Sequence, residues 1–134
     1  MKASTRRAAR ARAGHRCEYC LMHEDYSLLS FHIEHVIAKH HGGSNRLDNL
    51  AWSCQACNAK KGPNLSSWLK ATDEIVPLFN PRRQQWSRHF RWQGAYLRGK
   101  TKAGAATIIA LDLNNRNRIS QRQWLIAVGE FPPF

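Results

Sequence analysis

The sequence predicts an α+β domain whose first half is held together at two cysteine pairs. Three observations carry this: two C-x-x-C pairs with 33 residues between them, a β-rich run followed by a short helix ending that interval, and a hairpin and two helices beyond it. With 134 residues the chain suits a single domain, a size at which roughly two-thirds of the unfolded surface is buried. A hydrophobic share of 43% with five Trp and five Phe belongs to a globular chain rather than a disordered tail. Twenty-one Lys and Arg against nine Asp and Glu leave a net charge of +12. That excess points to a polyanionic partner, nucleic acid before an anionic membrane surface. No apolar run approaches the ~20 residues that span a bilayer, which excludes an integral membrane protein.

The first segment, residues 1–16, carries Lys2, Arg6, Arg7, Arg10, Arg12 and Arg16 and no acid. No apolar stretch follows, so a secretory signal is excluded and a cytoplasmic location is expected. A transit peptide shares this composition, but the cysteine pair starting at Cys17 leaves no spacer to discard. The segment is expected to be a basic helix, with Ser4 as N-cap, four alanines favouring helix and Gly14 ending it.

Cys17, Cys20, Cys54 and Cys57 suit one tetrahedral Zn²⁺ bound by four thiolates. Disulfides and a redox dithiol are the alternatives; nothing indicates secretion, and a redox motif needs only one pair. Between the pairs, Leu28–Ala38 reads as a strand holding His32, Glu34 and His35. A glycine-rich loop, Lys39–Asn45, comes next, and a helix is expected from about Ser53 to Gly62-Pro63.

C-x-x-C, E-H in a strand, G-G, N-L and C-x-x-C-N-x-x-K, in that order over Cys17–Pro63, resemble the HNH endonuclease motif on a ββα-metal fold. The resemblance covers about a third of the chain. It implies His35 as general base and Asn49 as the residue that orients it. It also implies Glu34 and Asn58 as ligands of a catalytic Mg²⁺ or Mn²⁺, and the four cysteines as a structural zinc site. Two departures stand out: Glu34 occupies a position where many members have Asp, and Val36-Ile37-Ala38 is expected to continue the strand where many have a proline. The plainer readings are a solvated strand pair for Glu34 and His35, a turn cap for Asn49 and an ordinary helix residue for Asn58. His32 shares the Glu34 face of the strand, and His40 and His41 sit beside the glycines.

Residues 64–134 are expected to be appended to the 17–63 core within one domain. Glu74–Phe79 reads as an edge strand containing Pro77. Trp86–Lys100 reads as a hairpin turning near Gln93-Gly94, with Phe90, Trp92, Tyr96 and Leu97 as packing positions. Ala103–Leu113 has a helical stripe, and Ser120–Gln123 has capping-box spacing with Ile119 and Trp124 as a staple. From Arg82 to Lys102 there are seven basic residues and no acid, interleaved with aromatics. Arg82, Arg83, Arg88 and Arg91, with the N-terminal arginines, are the expected grip on phosphates.

These readings combine into a metal-dependent endonuclease hydrolysing DNA, with RNA the other candidate. Low sequence specificity is expected, and with one site and no repeat, nicking by a monomer. The alternative is a non-catalytic zinc-dependent nucleic-acid-binding module.

Overall fold

The computed structural model describes residues 1–133. Among them are five α-helices and three two-stranded antiparallel sheets, grouped into two compact units. No helix among the described residues is long and apolar enough to cross a membrane.

The first unit takes Met1–Leu65 and returns at Asn80–Gln84. It opens with α1 (Ala3–Arg12) and continues through β1 (His32–His35), β2 (Leu50–Ser53) and α2 (Gln55–Lys61). β1 pairs antiparallel with β2, His32 opposite Ser53 and His35 opposite Leu50. Helix α2 packs against β1, giving the expected order of two strands and a helix. Phe31, Leu50, Ala51 and Trp52 are buried in this hairpin, and Ala9 is the residue α1 buries.

Arginines tie α1 down. Arg6 donates to the Phe31 carbonyl and lies over the Trp52 ring, Arg10 pairs with Glu24, and Arg12 reaches the carbonyls of Leu47 and Leu50. Basic composition thus fastens the helix as well as charging it, because a guanidinium can satisfy several acceptors at once.

The second unit comprises Ser66–Phe79 and the chain from Gln85. A hairpin of β3 (Ser66–Leu69) and β4 (Glu74–Pro77) precedes the four-residue α3 (Trp86–His89). A second hairpin follows, of β5 (Phe90–Gln93) and β6 (Tyr96–Gly99), and then α4 (Lys102–Ala110) and α5 (Arg116–Ala127). Phe79, Phe90, Leu97, Leu111, Leu113 and Leu125 form its core. Helix α4 lies so close to the end of α3 that a Cβ at Gly104 would stand 2.1 Å from the His89 carbonyl oxygen. Arg122 is buried, donating to the carbonyls of Ala95 and Leu113 beneath Trp92.

Several expectations are corrected. α1 begins at Ala3 with Lys2 at the cap position and no side-chain cap, so Ser4 lies inside the helix. The long strand at 28–38 shortens to His32–His35. Beyond it the Asn49 side chain, rather than a strand backbone, bonds both backbone groups of Ile37. Trp86 begins a short helix instead of the hairpin. Trp92 pairs with Leu97, which points inward, leaving Tyr96 43% exposed. The last helix starts four residues before the expected box, capped by Asn115, whose side chain accepts from the Arg118 amide. Its staple partner Trp124 is 64% exposed. Asn115 wins because its oxygen reaches an orphan amide of the first turn, whereas Ser120 is already mid-helix.

Candidate metal centre and histidine site

The first cysteine pair sits on a knuckle closed by backbone bonds. The Cys17 amide donates to the Met22 carbonyl, and the Leu21 amide returns to the Cys17 carbonyl, with Leu21 at a φ of 63°. The second pair begins α2: Cys54 is its N-cap, and its sulfur accepts from the Cys57 amide at 3.4 Å. The four sulfurs lie within 4.8 Å of one another, and Cys20 and Cys54 are 3.8 Å apart. That spacing excludes a disulfide, whose sulfurs lie about 2.05 Å apart. It matches the edge of a tetrahedron with Zn–S bonds of about 2.3 Å, which is about 3.8 Å. The Cys54 thiol is pushed far down by hydrogen bonds from Cys17, Cys20 and Cys57, while Cys57 is pushed up by the same cluster. Thiols this close oppose one another's ionisation, and a divalent cation relieves that competition. The cluster fits structural zinc.

Glu34 and His35 are adjacent on β1 and project to opposite faces, as strand neighbours must. Glu34 turns inward, 4% exposed, with Oε1 2.6 Å from Lys61 Nζ and Oε2 accepting from the Tyr19 hydroxyl at 2.5 Å. Lys61, 2% exposed, also donates to the Val36 carbonyl at 3.1 Å. Burial pushes the Glu34 carboxyl up against the opposing pull of Lys61, and burial followed by the Glu34 charge pushes Tyr19 up. Asn58 stands three residues before Lys61 on α2, half-buried, with its backbone bonded to Cys54 and Gly62. The Lys61 ammonium occupies the place beside Glu34 that a cation would need. The Glu34–Asn58 pair therefore does not fit a divalent ion in this arrangement.

His35 points the other way. It lines a hollow of about 500 Å³ with Lys2, Arg6 and also His32, which strand alternation alone had put with Glu34, and its Nε2 is 2.8 Å from Asn45 Oδ1. Asn49 is buried, and its side chain bonds the Ile37 amide, the Ile37 carbonyl and the Ser44 carbonyl. The His35 partner here is thus Asn45, while Asn49 holds the loop. His41 is turned to the Pro63 carbonyl at 3.1 Å, and His40 is exposed.

The arginines divide. Arg82 pairs with Glu18 and donates to the Leu50 carbonyl, which also accepts from Arg12. Glu18 accepts in turn from the Trp52 amide, so Arg82 is part of the framework. Arg12, Arg82 and Arg83 line a cleft of about 830 Å³ with His41 and Asn49, with Asp48 as its acid. Arg83 is exposed, as are Arg88 and Arg91 of the second unit. The sequence assigned no role to Tyr19, Asn45 and Glu18, and none to Lys61, although it closes the C-x-x-C-N-x-x-K motif. Lys61, one turn after Asn58 on a short helix, carried a visible signal; Tyr19 and Glu18, inside the first C-x-x-C, carried only their position.

Residues 17–64 match the HNH endonuclease family. The matched residues take in both cysteine pairs, Glu34, His35, Asn45, Asn49, Asn58 and Lys61. The chain is also similar to the Septu protein PtuB of Bacillus thuringiensis, 28% identical over 116 residues. That alignment covers 85% of this chain and 42% of the relative, so the chain spans less than half of that protein's length. No solved structure matches.

Two outcomes follow from this geometry. Cys54→Ser should release zinc and lower the melting temperature, because metal-binding free energy is folding free energy; metal analysis and thermal melts of the purified protein check both. Glu34→Gln leaves the Lys61 charge buried and unpaired, which should cost about 3 kcal/mol or more in urea unfolding. A change within about 0.5 kcal/mol, the surface-substitution range, would show that the pair carries no stability.

Proposed function

We propose that the chain is an endonuclease hydrolysing phosphodiester bonds of DNA, with His35 as general base. The observation that supports this most is a histidine within the HNH segment, held by a side-chain carbonyl and facing a hollow with Lys2 and Arg6 on its wall. Imidazole is the side chain that takes a proton near neutral pH. The cations beside it would receive the scissile phosphate. His35 takes a proton from water as the water oxygen bonds to phosphorus. The bond from phosphorus to the 3′-oxygen breaks, and that oxygen takes a proton from solvent. The resemblance to the HNH family implies these products, a 5′-phosphate and a 3′-hydroxyl.

Zinc at the four thiolates would hold the fold and stay out of the reaction, because a site closed by four cysteines leaves no open position. One observation favours the alternative of a non-catalytic binding module: the Glu34 carboxylate is occupied by Lys61 and Tyr19. The two readings part on a supercoiled plasmid assayed with Mg²⁺, Mn²⁺ and EDTA.

Cleavage should give open circles before linear product, since a single His35 serves one strand at a time. His35→Ala should lower the rate by ~10²–10⁴-fold, the usual loss with a general base, and leave oligonucleotide affinity unchanged. Normal cutting by that variant would end the assignment. Replacing exposed Arg83, Arg88 and Arg91 with glutamine should weaken duplex binding on every sequence. It should also flatten the log–log salt slope by roughly 0.9 per lost phosphate contact, measured by anisotropy across a salt series. An unchanged slope would move the grip to the cations beside His35.

A further inference from the structure

The loop between β1 and β2 is built to present one side chain. Asn49 bonds both backbone groups of Ile37 and the carbonyl of Ser44, so its one amide closes the two ends of the 37–44 loop. Within that ring the amides of His41 and Gly43 donate to the Ala38 carbonyl, and the Gly42 amide to Lys39. A Cβ on Gly43 would stand 1.7 Å from the Ile37 carbonyl oxygen and 2.9 Å from Asn49 Nδ2, so only glycine lets the loop close. The residue after Ser44 is Asn45, and its Oδ1 meets His35 Nε2 at 2.8 Å.

We infer that Asn45 is the positioning residue of His35, holding the imidazole with its hydrogen on Nε2 and its lone pair on Nδ1. Asn49 acts one step back, as the clamp that places Asn45. This rests on the reading of His35 as the base. A carboxamide oxygen only accepts, so the ring nitrogen it meets must donate, and in a neutral imidazole the other nitrogen is then the acceptor. Water would therefore deliver its proton to Nδ1. The pair is solvent-accessible, where a single hydrogen bond is worth little in stability. Its consequence is orientation: a ring free to rotate holds Nδ1 in one direction only part of the time.

The test uses zinc-loaded, ¹⁵N-histidine-labelled protein. In the wild type the His35 ring should show Nε2 as the N–H and Nδ1 as the bare nitrogen when neutral. Asn45→Ala should lower kcat by about 10–100-fold, by analogy with the loss of an outer partner of a metal-bound histidine. KM, the melting temperature and DNA affinity should stay as they were. Asn45→Asp keeps an accepting oxygen, so it should keep the hydrogen on Nε2 and recover part of kcat. His35 nitrogen shifts unmoved by Asn45→Ala would overturn the inference, as would Nδ1 carrying the hydrogen in the wild type. If instead His35→Ala cut DNA normally while the ¹⁵N signals still reported the Asn45 bond, the positioning contact would stand and the base assignment would fall.

Discussion

Convergence of four thiols is the constraint on which the first unit depends. Cys17 and Cys20 close the knuckle after α1, while Cys54 and Cys57 begin α2, and the strand carrying Glu34 and His35 lies between them in sequence. One ion at that point would fix both ends of a segment that otherwise has a two-stranded sheet and a seven-residue helix. Isolated hairpins and helices of that length are marginal in water. The charge argument runs the same way, since thiols this close compete to ionise and a divalent cation removes the competition.

A second buried contact continues the framework. Tyr19 sits inside the first knuckle and donates to Glu34 on β1, which pairs with Lys61 on α2. Three elements thus meet on one carboxylate. Desolvating two charges is costly, and the pair persists because its polar atoms find partners: the ammonium also bonds the Val36 carbonyl, and the second carboxylate oxygen takes the tyrosine. Glu18 does related work on the neighbouring side, gathering Arg82 and the Trp52 amide onto one carboxylate.

The alternation of the strand then separates two tasks that adjacent residues perform. Glu34 goes to the interior and His35 to a hollow bounded by Lys2 and Arg6, so framework and proton chemistry share β1 without sharing a face. The loop clamped by Asn49 reaches back over the outer face with Asn45. Basic residues are divided in the same manner. Arg12, Arg82 and Arg122 hold carbonyls or a carboxylate inside the fold, while Arg83, Arg88 and Arg91 remain available to solvent.

The metal cluster, the strand–loop–strand–helix order and the HNH resemblance were legible from residue type and spacing alone. Thiolate pairs leave few chemical options, and glycine and asparagine mark a loop wherever it falls. The hairpin turn at Gln93-Gly94 and the edge strand at Glu74 were legible for the same local reason. Helix starts were not, because a cap is decided by which side chain reaches an amide, and Asn115 reached Arg118 while Ser4 and Ser120 fell inside helices. Nor could sequence assign partners across space. That Glu34 would meet Lys61, 27 positions on, and His35 meet Asn45 instead of Asn49 depends on the pairing of β1 with β2, the close approach at Gly43 and the seating of α2. Residue type determined which groups could ionise, donate or bind metal; only the packed chain decided which of them face each other, because that choice is made by backbone geometry far from each residue's own neighbours.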